Sequence, residues 1–339
     1  MRLGLGNTLV NGGGPSNADG LALDLQFAAD KTLTARRGPT PAFARANDTA
    51  TFINSSGTIE DAPANQPRFD YDPVTGICKG LLIEEQRTNL VFPSDALTTQ
   101  TRTVTATPHT LSFYGTGQVI LSGVTGPTTV NGTGAFPTRT TLTFTPTAGS
   151  LILTVTGTVE GGQLEVGGFA SSYIPTTTAP SLRSADLCSI TAGAFTGFYN
   201  QSEGTLFAQS TRTSTNTNAF VVYASNGSFV NGLDLRYSSA TLIIASMNVA
   251  SAAQLNGLQA TITSGSSSKQ AVAYKLNDCA YSANGAAVIT DTSALIPTVS
   301  QLNIGMAHNS SLQPLNGHIA SIRYFRKRLP NAKLQALTV

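Results

Sequence analysis

RTTLTFTPTAGSLILTVTGTVEGGQLEVGGFASSYIPT (Arg139–Thr176) alternates apolar and polar residues over strand-length runs, with Gly or Pro between them. Period-two alternation puts every second side chain on one face, the pattern of antiparallel sheets with one wet and one buried face. The same style runs backward through "TRTVTATPHTLSFYG" and "GQVILSGVTG". It runs forward through "GTLFAQSTRT", "AFVVYAS", "GLDLRYSS", "ATLIIASMNV", "KQAVAYKLNDCAYSANGAAVITD", "QLNIGMAH" and "GHIASIRYFRKRL". "LCSITAGAFTGFYN" reads as a further strand. Only "PNAKLQALT" at the end reads as a helix, opened by proline. The chain is therefore expected to be all-β, a multi-domain set of antiparallel β-sandwiches with a short C-terminal helix.

Composition agrees. Charged residues make up 11% of 339, well below the usual quarter, and Thr, Ser, Gly and Asn fill the difference. No apolar run approaches the ~18–20 residues of a membrane helix, and "MRLGLGNTLVNGGG" has no apolar signal core. Residues 1–95 hold 11 acids and 8 bases; residues 181–339 hold 5 and 10. Much of that basic surplus sits in one tail cluster, without the interleaved aromatics of a nucleic-acid stripe. Cys78, Cys188 and Cys279 are few, odd in number and far apart, which argues against a disulfide scaffold or a CxxC metal ribbon and predicts free thiols.

Three domains are expected: 1–94, with a Gly/Asn-rich arm over 1–20; 95–178; and 179–339. "FPSDAL" and "SSYIPTTTAPSLRSADL" read as the linkers. Catalytic motifs are missing. "GLGNTLVNGGG" has Leu9 where a dinucleotide fingerprint needs its third glycine, and no GxSxG elbow occurs. His109, His308 and His318 stand alone, so no metal site or cofactor is expected. Acids in the C-terminal region (Asp186, Glu203, Asp234, Asp278, Asp291) and the middle (Glu160, Glu165) form no evident pair for glycoside hydrolysis.

FDYDPVTGICKGLLIEEQRTN (Phe69–Asn89) concentrates charge in this charge-poor chain. Asp70, Asp72 and Pro73 read as a turn, and Ile77–Ile83 as a buried strand around Cys78. Glu84 and Glu85 are adjacent on an extended chain, so they face opposite ways and do not share a proton. Glu85, Arg87 and Asn89 are expected to form a polar latch, which makes Asp70, Asp72, Glu85, Arg87 and Asn89 an interdomain or subunit joint.

"RFDYDPVTG" followed by "GLLIEEQRTNL" resembles a phrase of tailed-bacteriophage virion structural and appendage proteins. "GGQLEVGGFASSYIPT" resembles the closing strand of a jelly-roll, carbohydrate-binding-module-like domain. The run from "GTLFA" to "LQALT" is similar to concanavalin-like or laminin-G-like domains. The resemblance implies a non-enzymatic virion protein, a capsid decoration, head fibre or tail fibre. Its partners would be the major capsid or tail protein, further copies of itself (a trimer by preference) and host-surface glycans, with no nucleic acid and no membrane insertion. A glycan depolymerase and a ligand-free cement protein are the alternatives. Sugar binders use aromatic faces beside Asn, Asp and Arg, which nominates Tyr173, Arg183, Tyr199, Tyr237, Tyr281, Asn284, Asn316 and His318.

Overall fold

A computed structural model describes residues 19–47, 49–214, 217–255, 257–307 and 313–339. The 1–20 arm, apart from its last two residues, lies outside the described residues, as does His308. Sheets throughout are antiparallel, and the described residues contain three short helices, Phe27–Asp30, Ala192–Phe198 and Asn331–Leu337. The last begins after Pro330, as its sequence predicts.

Two sandwiches make up the molecule. The larger has two eight-stranded sheets. In the first, Gly317–Phe325 is central. Glu203–Arg212 flanks it on one side; Cys78–Ile83 and Leu21–Leu25 share the other. The second contains Ala42–Ala44 beside Leu187–Thr191, then Gln301–Ile304, Ala219–Ser225, Gly232–Ser239 and Leu242–Val249. One continuous core fills the space between. It takes Leu23, Leu25, Phe27, Leu81 and Ile83 from the N-terminal third and Leu206, Val221, Leu235, Val272, Ile304 and Ile322 from the C-terminal half. The smaller sandwich has a four-stranded sheet (Thr128–Asn131, Gln118–Gly123, Gly149–Thr156, Gln100–Val104) and a three-stranded one (Thr140–Phe144, His109–Tyr114, Glu160–Val166). Its own core includes Leu111, Phe113, Val119, Leu151 and Leu164.

This corrects the expected division at residue 94. Residues 21–83 do not stand apart; they complete both sheets of the C-terminal sandwich, and the middle sandwich is an insertion in it. A strand's unpaired backbone edge must be satisfied, and the long strand Gly317–Phe325 finds its second partner only in the N-terminal segments. Gly80 shows how close that docking is. Its φ is +111°, and a Cβ there would lie 2.2 Å from the Ile319 carbonyl oxygen.

The inserted sandwich is carried on a two-stranded stem. Arg87–Asn89 enters and Ser181–Arg183 leaves, paired antiparallel with Arg87 opposite Arg183. Two local readings also change. "AGAFTGF" forms the helix Ala192–Phe198, because Phe195 and Phe198, one turn apart, both bury into the core. Ile77 is 66% exposed, so the buried part of the Cys78–Ile83 strand is Gly80–Ile83. The three cysteines are free, with Cys188 and Cys279 buried.

One buried acid marks the second sheet. Core residues Leu233, Leu235 and Tyr237 alternate with Asp234, which lies on the other face of its strand, 2% exposed. Its Oδ2 accepts from Ser246 (2.6 Å) and Arg236 (3.2 Å), while Oδ1 has no partner among the described residues. Burial outweighs Arg236 and Ser246 and pushes the carboxyl up to about 6. In the unfolded chain it titrates near 4. The stability contributed by its neutral form is complete below about pH 4 and lost as pH rises through about 6. Asp234→Asn is therefore expected to stabilise the protein above pH 7 by up to about 3 kcal/mol and to do little at pH 4. Denaturant midpoints at the two pH values check this; an equal effect at both would contradict it.

Candidate functional site

The strand RFDY (Arg68–Tyr71) turns its charged residues, not its aromatic ones, toward the protein interior: Arg68 and Asp70 are buried, Phe69 and Tyr71 only partly. Arg68 enters a cluster at the base of the stem. Asp186 accepts from Arg45 Nη1 (3.1 Å), from Arg68 Nη2 and from the Glu84 backbone N–H (2.9 Å). Glu84 pairs with Arg68 (2.8 Å) and Arg183 (3.1 Å) and accepts two hydrogen bonds from Ser172, at 2.8 and 2.7 Å. Burial opposes its charge, yet the Arg183 and Arg68 guanidiniums outweigh burial and hold it far below the usual carboxylate range. Arg45, Arg68, Arg183 and Asp186 are each at most 1% exposed. Glu84 and Glu85 do face apart. Glu85 pairs with Arg87, whose guanidinium also stacks on Phe169 at 4.6 Å.

Asn89 closes the stem from the other side. Its Nδ2 donates to Gly162 O (3.0 Å) and Ile174 O (2.9 Å), and its Oδ1 accepts from the N–H groups of Leu164 and Val91. All its hydrogen-bonding capacity is used, which fixes the inserted sandwich to the stem. Asn316, nominated for sugar binding, instead brackets Glu85: it accepts from the Glu85 N–H (2.9 Å) and donates to the Glu85 carboxylate (3.1 Å). Arg183 likewise belongs to this cluster. Asp72 accepts from Val74 N–H, Thr75 N–H and the Thr75 hydroxyl, which makes it a turn cap away from the cluster.

Asp70 is not part of that turn. It lies in a cleft of about 200 Å³ between the two sandwiches. Asp70, Lys79, Leu82, Thr213 and His318 of the large sandwich form one wall, with Thr51, Ile53 and Ile59 from the hairpin packed against it. Tyr114 and Arg139 of the inserted sandwich, with Ser171, Ser172 and Tyr173 from the returning chain, form the other. Asp70 Oδ2 accepts from His318 Nε2 at 2.8 Å and pairs with Lys79; Oδ1 accepts from the Ile53 N–H at 2.7 Å. Burial works against its charge, and His318 and Lys79 together outweigh it, so the carboxyl lies below its ordinary value. Tyr173 is half-buried, with its hydroxyl on Ser94 at 2.5 Å. Arg139 donates through Nη1 to Ser171 O (2.6 Å), its Cζ 5.9 Å from the centre of the Tyr114 ring.

Of the eight residues nominated for sugar binding, Tyr173 and His318 meet in this cleft. Tyr237 and Tyr281 are fully buried and bonded to Ser210 and Gln270. Tyr199 stacks inside on Phe195 and Tyr324 at 4.6 and 4.9 Å. None of the three offers a ring face, because each belongs to the sandwich core or its aromatic cluster. Asn284 closes a turn against Lys269. Tyr114, Lys79 and Arg139 were missed. The signal for Arg139 was its rarity: it is one of two basic residues in 96–180.

The cleft contains two carboxylates, Asp70 and Glu84. Both are held charged and both are saturated by basic partners, whereas a glycosidase acid must keep a proton. Among the described residues no group of three or more His, Cys, Asp or Glu is placed to hold a metal ion.

No protein-family model matches the chain, and no curated protein matches it. Among solved structures it is similar to the CBM40 of a Ruminococcus gnavus IT-sialidase bound to α2,3-sialyllactose: 16% identity, 41% of this chain, 83% of that one, TM-score 0.35. It is also similar to domain 4 of AbnA, a GH43 extracellular arabinanase from Geobacillus stearothermophilus, in complex with arabinotriose: 10% identity, 51% and 84%, TM-score 0.36. A leech intramolecular trans-sialidase matches at 14% identity over 44% of this chain and 27% of its own, TM-score 0.34. At these scores no ligand or activity transfers to this chain.

Proposed function

We propose that this chain is a non-catalytic glycan-binding protein exposed on a tailed-phage particle, and that the cleft between its two sandwiches is the binding site. One observation carries the glycan reading. The cleft joins the half-buried Tyr173, with the buried Tyr114 behind it, to convergent polar groups from the two sandwiches, Asp70, Lys79, His318 and Arg139. Sugar recognition needs an apolar ring face beside fixed donors and acceptors. The saturated, charged state of Asp70 and Glu84 supports binding over cleavage. The virion placement rests on the resemblance of RFDYDPVTG and GLLIEEQRTNL. Those residues form the strands and stem that hold the two bodies in one orientation, which suits an adhesin exposed outside a cell. In this reading the partners are capsid or tail proteins and further copies of the chain.

The full chain, tested against a panel of bacterial surface polysaccharides, is expected to bind at least one without releasing reducing ends. Tyr173→Ala is expected to weaken that binding roughly tenfold, about 1.4 kcal/mol. Release of reducing sugar would overturn the non-catalytic reading. Binding unaffected by Tyr173→Ala would remove the site from this cleft.

A further inference from the structure

We infer that the cleft selects an anionic sugar, one bearing a carboxylate, sulfate or phosphate, and that Arg139 is the selecting residue. This rests on the glycan-binding reading above and adds the ligand's charge. The inference comes from a census of charge at the cleft. Asp70 is matched by Lys79 and hydrogen-bonded by His318. Glu84 is matched by Arg68 and Arg183. Among the described residues Arg139 has no carboxylate partner. Its single hydrogen bond goes to a neutral carbonyl, Ser171 O, and its Nε and Nη2 are enclosed, with no partner among the described residues. Arg139 is therefore the one basic group lining the cleft whose charge no carboxylate among the described residues answers in an ion pair.

Two physical points give that charge its effect. A guanidinium without a counter-charge in a partly buried place is costly, and an anion brought near by a ligand offsets that charge. Arg139 also lies beside the Tyr114 ring, where poor solvation strengthens its field across the cleft. A neutral sugar gains nothing from this field. An anionic one does. The volume, about 200 Å³, suits one sugar ring with its substituent, so a single charged residue of the polymer would be read.

The test uses the full chain immobilised at low salt against three probes of matched length: oligogalacturonate, heparin-derived sulfated oligosaccharide and neutral dextran oligosaccharide. One or both anionic probes are expected to bind at least tenfold tighter than the neutral one, with the preference shrinking as salt rises. Arg139→Gln is expected to abolish the preference and leave weak neutral binding in place. Arg139→Lys, which keeps the charge, is expected to restore most of it; this variant also controls for damage to the fold. Equal binding of neutral and anionic probes would overturn the inference while leaving glycan binding intact. So would an anionic preference that survives Arg139→Gln. Failure to bind any of these probes or any surface polysaccharide would overturn the glycan reading itself.

Discussion

Removal of residues 1–94 is expected to unfold the large sandwich, not to liberate it. The deleted segment carries Leu23, Leu25, Phe27, Leu81 and Ile83, all fully buried in the shared core. At roughly 2 kcal/mol for each large apolar side chain, their loss is on the order of 10 kcal/mol. That is comparable with the entire stability of a typical domain, about 5–15 kcal/mol. The deletion also strips one edge of Gly317–Phe325 of its partners and leaves backbone groups exposed. Chemical denaturation of 95–339 beside the full chain decides the matter. A cooperative transition at the full-length midpoint would show that the N-terminal third is a separate body after all.

Asp186→Ala is expected to cost about 3–5 kcal/mol, the range for removing one partner of a buried ion pair. Asp186 answers Arg45, Arg68 and the Glu84 N–H at once, and the alanine would leave Arg45 without a counter-charge in the interior and Arg68 with Glu84 alone. Asp186→Asn, which keeps the size and one acceptor, is expected to cost less. Denaturant midpoints give the values; a loss under about 1 kcal/mol for the alanine would mean that the cluster is solvated and does not hold the stem. Buried ion pairs are a weak source of net stability, and specific orientation is the better-attested reason to keep them. Here they reach from the large sandwich into the stem, and from the stem to the inserted sandwich, whose Glu165 lies 3.9 Å from Arg87.

Strand content was legible because alternation is local: each of the runs from "GTLFA" to "IRYF" carries its own inside and outside. Their partners were not legible. Nothing in "ALDLQF" or "GLLI" says that the matching edge lies some 240–300 residues later on Gly317–Phe325, so a sequential division at residue 94 looked natural. Within Phe69–Asn89, Glu85, Arg87 and Asn89 were readable as a latch because two charges and an amide crowd together in a charge-poor sequence. The more deeply buried partners, Arg45, Arg68, Glu84, Glu165 and Asp186, were not. A charged residue on an alternating strand is normally assigned the wet face, and RFDY inverts that rule. The tyrosines failed for the related reason that a hydroxyl suggests a surface, whereas Tyr237 and Tyr281 find hydroxyl, carbonyl and amide partners inside.

The most direct test of a glycan site at the junction is a crystal structure of the full chain with whichever polysaccharide fragment it binds best. Sugar density is predicted between Tyr173, Lys79 and Arg139, with its anionic group on the Arg139 side. Ordered sugar elsewhere, with this cleft empty, would contradict the account.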